Sequence, residues 1–214
     1  MDKYLNRQHA GEVLAQEIKS DVDRSLLKQA IVLALPRGGV PIGYEIAKTL
    51  HLPLDVMIVR KLGAPTNPEF AFGAIASNGV IILNQEVIKN LVLDDKIIND
   101  IIAKERQELE RREIVYRGNR VFPQIADKII FLVDDGIATG YTMKAAIMAL
   151  KQQKPAKIIV AAPVAAQDTV KELQGLVEQV ICPLTPIDFY AVGLWYKNFA
   201  QVEDEEVRKI ICIS

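Results

Sequence analysis

Short apolar runs alternate with longer amphipathic segments along most of the chain. Residues 31–35 (IVLAL), 129–133 (IIFLV) and 157–164 (KIIVAAPV) are almost continuously apolar and rich in β-branched residues, which predicts strands buried on both faces. Apolar residues at helical spacing predict helices in other segments, at 10–28, 94–116, 142–150 and 167–175. This alternation predicts an α/β fold with a central parallel sheet flanked by helices and right-handed crossovers.

The region from residue 54 to residue 84 departs from this alternation. Residues 54–59 (LDVMIV) predict another buried strand, which ends at two basic residues. LGAPTNPEFAFG, residues 62–73, is rich in turn-forming residues and predicts a mobile loop. Apolar runs on either side of Ser77-Asn78-Gly79 predict a β-hairpin over 70–84. Such a hairpin and loop could close over a neighbouring crevice as a lid.

The turn after the run 129–133 carries the most chemistry. Asp134 and Asp135 stand at the carboxyl end of that strand, where ligands bind in open α/β sheets. Gly136 and Gly140 let the backbone approach a ligand closely, so that successive N–H groups can converge on one anion at the start of the next helix. The acids would repel a phosphate but suit a vicinal diol or a hydrated divalent cation. The acids and the loop of N–H groups together predict a binding site for a sugar phosphate.

Two other protein classes carry paired acids after a strand. Nucleotide triphosphatases also need a GxxxxGK[ST] loop for the phosphates, and this chain has none. Receiver domains have their acids near the N-terminus and lack a loop rich in glycine and threonine. The sugar-phosphate interpretation therefore fits this turn best.

A second loop of the same kind follows the strand at 31–35. Gly38 and Gly39 can expose backbone N–H groups, and Arg37 supplies a planar fork of donors that matches phosphate oxygens. A Gly-Gly pair after a strand is by itself more often a plain tight turn. Two anion sites at the ends of parallel strands would nevertheless suit a ligand with phosphate at both ends.

The motif VDDGIATG at 133–140 resembles the signature of the type I phosphoribosyltransferases, whose donor is 5-phospho-α-D-ribosyl 1-pyrophosphate. The resemblance implies that Asp134 and Asp135 hold the ribose hydroxyls. It implies that the 5′-phosphate lies in the loop that follows, formed by Gly136, Ile137, Ala138, Thr139, Gly140, Tyr141 and Thr142. It also implies Mg²⁺, bound by Asp134 or Asp135 directly or through water.

The resemblance extends to LPRGG, which looks like the pyrophosphate loop of that family. It implies that Pro36, Arg37, Gly38 and Gly39 bind the leaving pyrophosphate. A basic residue at the end of the following strand commonly faces the pyrophosphate in this family, which favours Lys61, with Arg60 second. Asp134, Asp135, Arg37 and Lys61 are the candidate catalytic residues.

The ends of the chain are candidates for the acceptor site. Residues 1–214 are interpreted as one domain, with a small hood from 1–28 and 183–214, because in this family the acceptor lies under segments outside the sheet. Phe189 and Tyr190 precede a glycine, are expected to lie in a loop, and could stack on a flat acceptor. Trp195 and Phe199, four apart on a predicted helix, are better explained by packing. The arginines between 111 and 120 could reach substrate phosphate, although most such residues are simply solvated.

Composition sets limits on partners. The chain has 214 residues, half of them hydrophobic, and a formal net charge of −1, so no general attraction to nucleic acid or to an anionic membrane is expected. The polar N-terminus lacks the apolar core of a signal peptide, and a cytoplasmic protein is expected. Cys182 and Cys212 lack metal-ligand spacing.

The predicted activity is transfer of phosphoribose to a nitrogenous acceptor such as a base, with release of pyrophosphate. Its substrates would be small molecules, and the resemblance implies a homodimer. Two alternatives remain: a regulator that binds the donor without turning it over, and hydrolysis or phosphorolysis of a nucleoside phosphate at the same site. The acceptor's identity is not encoded in any pattern of this sequence.

Overall fold

The computed structural model describes residues 3–65 and 67–213. Its strands are β1 Ala30–Ala34, β2 Leu54–Val56, β3 Val59–Ala64, β4 Asn67–Ala76, β5 Ile81–Leu83, β6 Ile129–Val133, β7 Lys157–Ala161 and β8 Gln179–Ile181. Its helices are α1 Arg7–Asp21, α2 Arg24–Leu27, α3 Gly39–Leu50, α4 Gln85–Asn90, α5 Asp95–Arg117, α6 Tyr141–Gln152, α7 Gln167–Gln174 and α8 Asp204–Cys212. Short 3-10 turns lie at Ser77–Gly79 and Val192–Trp195.

A five-stranded parallel sheet in the order β2-β1-β6-β7-β8 forms the centre of the molecule. Every residue of β1 and β6 is buried, and alternate residues face opposite sides of the sheet. Val32 and Phe131 pack in the core that includes α1, α3 and α8, whereas Leu33 and Leu132 pack in the core that includes α6 and α7. The predicted α/β fold is confirmed.

The small antiparallel sheet β3-β4-β5 corrects two expectations. The strand predicted at 54–59 is wrong in its bounds, because β2 ends at Val56, and Arg60 and Lys61 lie within β3 and not at the end of a strand of the central sheet. The turn at 77–79 joins β4 and β5, so the hairpin predicted over 70–84 is confirmed. The predicted loop at 62–73 is instead mostly strand, because β3 and β4 pair antiparallel across irregularities beside Gly63. Cross-strand hydrogen bonds outweigh the local turn preference of its Gly and Pro residues. Thr66 and the side chains of 67–70 lie outside the described residues.

The two ends of the chain also differ from expectation. The first helix was predicted at 10–28, but α1 begins at Arg7, where the Asn6 side chain accepts a hydrogen bond from His9 N, and it ends before Val22. The tail contains α8, which the sequence did not predict. The helix expected through Trp195 and Phe199 is wrong, because only a 3-10 turn ending at Trp195 forms there.

The order of the strands positions the candidate site. β1 and β6 are hydrogen-bonded neighbours in register, with Ala34 opposite Val133. Since both strands run in the same direction, the loops at 36–39 and 134–140 leave the sheet side by side at its carboxyl edge. Among the helices in the described residues, none is both long and apolar enough to cross a lipid bilayer.

A buried ion pair joins α5 to the edge of the sheet and gives a stability prediction. The Arg117 side chain is 2% exposed, lies 2.8 Å from Asp55 and donates to Val56 O at 2.7 Å. Arg117→Ala should therefore lower the free energy of unfolding by about 3–5 kcal/mol, because it leaves the Asp55 carboxylate buried without its partner. Urea denaturation measures this loss.

Arg111→Ala is the matched control. Its side chain is 55% exposed and pairs with Glu108 on the same helix, so its removal should leave the urea midpoint almost unchanged. Equal midpoints for the two variants would contradict the structural role assigned to Arg117.

Candidate active site

The two loops that the sequence predicts as anion sites are in direct contact. A Cβ atom placed on Gly38 would lie 1.9 Å from Oδ2 of Asp135, and one placed on Gly39 would lie 2.7 Å from the carbonyl oxygen of Val133. Neither position has room for a side chain. The glycines of the first loop are therefore required because the paired acids lie against them.

The loop after β6 leaves backbone donors available. Gly140 has a φ of 72° and precedes the first residue of α6. Within the described part of the chain, the N–H groups of Ala138, Thr139, Tyr141 and Thr142 have no hydrogen-bond acceptor, and all four residues are exposed. Such a group of N–H donors at a helix N-terminus is suited to binding a phosphate.

Ile137 and Gly136 have a different part in this loop. Ile137 is buried, donates its N–H to Val164 O at 2.9 Å and accepts from Ala166 N at 3.0 Å. A Cβ on Gly136 would lie 2.4 Å from a methyl carbon of Val192 in the tail. These two residues hold the loop in place rather than present a side chain to a ligand.

The two acids are half-buried and close together. The N–H of Asp135 donates to Oδ1 of Asp134 at 2.8 Å. Burial, followed by the neighbouring charge of Asp135, raises the pKa of Asp134 well above its usual range. Burial also raises the pKa of Asp135, although the guanidinium of Arg7 works in the opposite direction. The pair therefore holds a proton more readily than two exposed aspartates would.

Arg7 is the site residue that the sequence analysis missed. Its Nε donates to Oδ2 of Asp135 at 2.7 Å, and its Nη1 donates to Ala200 O at 2.6 Å. Its guanidinium carbon lies 3.8 Å from the centre of the Phe199 ring. Arg7 and Asp135 are 128 positions apart in the chain, so no local pattern could have indicated the contact.

Arg37 also has partners from the tail. Its Nη1 lies 3.7 Å from Glu203 and 3.6 Å from Asp204, at the start of α8. The peptide bond between Pro36 and Arg37 is cis. The contacts with Glu203 and Asp204 show that Arg37 extends from the first loop toward the acidic start of α8, and its side chain is 35% exposed.

Arg60 and Lys61 line a cavity of about 620 Å³ between β3 and α5, which extends to Thr142 in the first turn of α6. Nη2 of Arg60 lies 2.6 Å from Glu105 on α5. Lys61 is exposed. Their assignment to pyrophosphate remains a prediction, with Arg60 already paired to a carboxylate.

The two ends of the chain meet above the acids. Lys197 N donates to Tyr4 O at 2.8 Å, and Tyr4 N donates to Trp195 O at 2.9 Å. The hydroxyl of Tyr196 donates to Asp135 O at 2.5 Å. Nearby in the tail, Tyr190 is 84% exposed, whereas Phe189 is partly buried against the core. The assignment of a hood and of these two aromatic residues to an acceptor remains a prediction.

The arginines between 111 and 120 have partners inside the protein. Arg111 and Arg112 both bind Glu108, and Arg117 is buried against β2. Arg120 donates to Ile211 O at 2.7 Å. These contacts lie within α5, between α5 and the sheet, and between the residues after α5 and α8, and they account for the cluster without a ligand.

The two acids fit one way of binding Mg²⁺. In the described residues, no group of three or more histidine, cysteine or acidic side chains could hold a metal ion. Mg²⁺ commonly takes only one or two carboxylates and completes its octahedron with water and substrate phosphates. Asp134 and Asp135, between two phosphate-type loops, suit that mode.

Comparisons with known proteins show the family of this chain. A family model described as "Phosphoribosyl transferase domain" matches residues 2–196. Two curated proteins, from two strains of Mycobacterium tuberculosis, are named provisionally as phosphoribosyl transferases and are each 41% identical over 207 residues. That alignment covers 97% of this chain and 46% of theirs, so the chain spans about half the length of these relatives.

Solved structures show the same fold. The Thermus thermophilus protein TT1426 is 37% identical, with a TM-score of 0.85 over 99% of this chain and 98% of its own. The Aquifex aeolicus protein AQ2163 is 11% identical, with a TM-score of 0.51 over 84% of this chain and 74% of its own, and shows likeness of fold alone. As its VDDGIATG motif predicts, the chain belongs to the phosphoribosyl transferase domain family.

Proposed function

We propose that this protein transfers the 5-phosphoribosyl group from 5-phosphoribosyl 1-pyrophosphate to a nitrogenous acceptor and releases pyrophosphate. The observation that carries the proposal is the contact between Gly38 and Asp135. It places acids suited to a sugar diol between one loop of free N–H groups and a second loop that bears Arg37. A pentose with phosphate at both ends matches that order of charges.

Each part of the site has a role in this reaction. The N–H groups of 138–142 and the hydroxyls of Thr139 and Thr142 hold the 5′-phosphate. Asp134 and Asp135 accept hydrogen bonds from the ribose hydroxyls and favour positive charge as it develops on the ring. Loop 36–39 binds the departing pyrophosphate, and Lys61, with Arg60 second, is proposed to face it as well.

The chemistry is mainly positioning and charge stabilisation. The acceptor nitrogen attacks C1 of the ribose on the face opposite the leaving group, with inversion, through an oxocarbenium-like transition state. When bound, Mg²⁺ would neutralise charge on the pyrophosphate, held by Asp134 or Asp135 directly or through water. The acceptor lies under the paired terminal segments, with Tyr190 and Phe189 as candidates for stacking on it.

The family resemblance and the chain's balanced charge support further parts of the proposal. We propose small-molecule substrates, a homodimer and a cytoplasmic location, with no nucleic acid or membrane partner. The acceptor is a nitrogenous ring compound, for which a panel of bases is the natural first set of candidates.

Release of pyrophosphate tests the function directly. Mixing the protein with the donor, Mg²⁺ and each base in turn should release pyrophosphate in amounts that depend on the base. Binding of the donor without release for any acceptor would favour the sensor alternative. Release at the same rate without any base would favour hydrolysis.

Asp134→Asn should separate activity from stability. We expect kcat/KM to fall by roughly 10- to 100-fold, because a hydrogen bond to a charged group is weakened. We also expect the free energy of unfolding at neutral pH, measured without metal, to rise, because burial raises the pKa of the Asp134 carboxyl and therefore disfavours its charged form, whereas the amide is neutral.

The pH dependence of the same variant follows from the sign of that shift. A raised pKa means that the folded protein binds the proton more tightly than the unfolded chain, so wild-type stability falls as pH rises from the ordinary aspartate pKa to the raised one. The advantage of Asp134→Asn should shrink as the pH is lowered through that window. Urea denaturation across this range that showed a constant or growing advantage would contradict the assignment.

A further inference from the structure

We propose that Arg7 occupies, in the donor-free protein, the place on Asp135 that a divalent cation needs, so that the cation binds together with the donor and not before it. This inference rests on the proposed function and deepens it. It assigns Arg7 as a positioning residue that controls the order in which the site is filled.

Several contacts hold Arg7 in this position. Its Nε lies 2.7 Å from Oδ2 of Asp135, its Nη1 binds Ala200 O, and its guanidinium lies over Phe199. The side chains of Arg7 and Asp135 are only 12% and 13% exposed. An ion pair that is shielded from water and fixed by a carbonyl and an aromatic ring persists more than a surface pair does.

A cation and Arg7 compete for the same carboxylate. Oδ2 of Asp135 accepts from Arg7, and Oδ1 of Asp134 accepts from the N–H of Asp135, so two oxygens of the acid pair already accept hydrogen bonds. A divalent cation at Asp135 would also lie close to a guanidinium of like charge. The acids alone are therefore a poor cation site while Arg7 remains in place.

Donor binding changes this balance. The donor brings phosphate oxygens that can ligate the cation and can also accept hydrogen bonds from a guanidinium. Nη2 of Arg7 has no hydrogen-bond acceptor within the described segments 3–65 and 67–213. Arg7 can therefore exchange the Asp135 carboxylate for a phosphate oxygen. It would keep its contacts with Ala200 O and with the Phe199 ring.

The same kind of resting contact exists at the other loop. Arg37 lies within 3.7 Å of Glu203 and Asp204, so the tail supplies the acid there, whereas the N-terminal segment supplies the base at Asp135. Asp135 and Arg37, which are both proposed to contact the donor, are therefore already paired within the chain. The Arg37 contacts are longer and more exposed than the Arg7 contact, so they hold Arg37 less firmly.

Binding of Mn²⁺ to the donor-free protein tests the proposal. The free Mn²⁺ signal in electron paramagnetic resonance would be titrated with wild-type protein and with Arg7→Gln. We expect Arg7→Gln to bind Mn²⁺ roughly tenfold more tightly, within the usual range of coupling between two ligands. Equal or weaker binding by Arg7→Gln would overturn the proposal.

Control variants separate competition at Asp135 from a general effect of charge. Arg111→Gln removes an exposed arginine that pairs only with Glu108 in the described structure, and should bind Mn²⁺ as the wild type does. The double variant Arg7→Gln/Asp135→Asn should not show the increased Mn²⁺ affinity that is expected for Arg7→Gln. A gain in Arg111→Gln, or a gain that survives in the double variant, would contradict competition at this carboxylate.

Arg7→Lys provides the test if Arg7→Gln melts at a much lower temperature than the wild type. It keeps the positive charge but lacks the Nε donor, so a smaller gain in Mn²⁺ affinity is expected, and no gain would overturn the proposal. In the wild type, adding 5-phosphoribosyl 1-pyrophosphate should tighten Mn²⁺ binding. If the donor fails to bind at all, the proposed function fails, while the donor-free titrations still decide the role of Arg7.

Discussion

The contact between Gly38 and the Asp135 carboxylate is the constraint on which the site depends. β1 and β6 are paired in register, so their following loops leave the sheet side by side, and only a residue without a side chain fits where the acid lies. This packing brings a carboxylate, a basic loop and a helix N-terminus together at one edge of the sheet. If β1 and β6 were not adjacent in the sheet, the two loops would be separated.

The terminal segments complete this arrangement and bring positive charge to the acid pair. Residues near Tyr4 and Tyr196 pair with each other, and the Tyr196 hydroxyl bonds to the backbone of Asp135. From that position the N-terminal segment brings Arg7 to the acids. Two adjacent half-buried carboxylates are costly without positive charge nearby. The segments proposed to cover the acceptor therefore also stabilise the residues proposed to hold the donor.

Local sequence patterns predicted the parts of the molecule that depend on local structure. β1, β6, α5 and the turn before α6 follow from apolar runs, helix caps and glycines that lie within a few residues of one another. The strand at 59–64 was missed because the turn preference of the nearby Gly and Pro residues hid its pairing with β4, the next strand along the chain. Helix α8 has apolar residues at helical spacing, at Val207, Ile210 and Ile211, and acidic residues in its first turn, a local signal that the prediction did not use. Arg7 could not be found from a local pattern, because its partner is 128 residues away. Contacts between the ends of the chain and the centre leave no periodic signal.

Donor affinity of Gly38→Ala tests the central contact most directly. The backbone of Gly38, at φ −62° and ψ −33°, accepts alanine, so the added methyl group should only displace the Asp135 carboxylate. Gly175→Ala is the control, because a Cβ there makes ordinary contact at 3.5 Å. We predict that calorimetry with 5-phosphoribosyl 1-pyrophosphate and Mg²⁺ shows at least about tenfold weaker binding for Gly38→Ala and wild-type binding for Gly175→Ala. Wild-type affinity in Gly38→Ala would contradict the account.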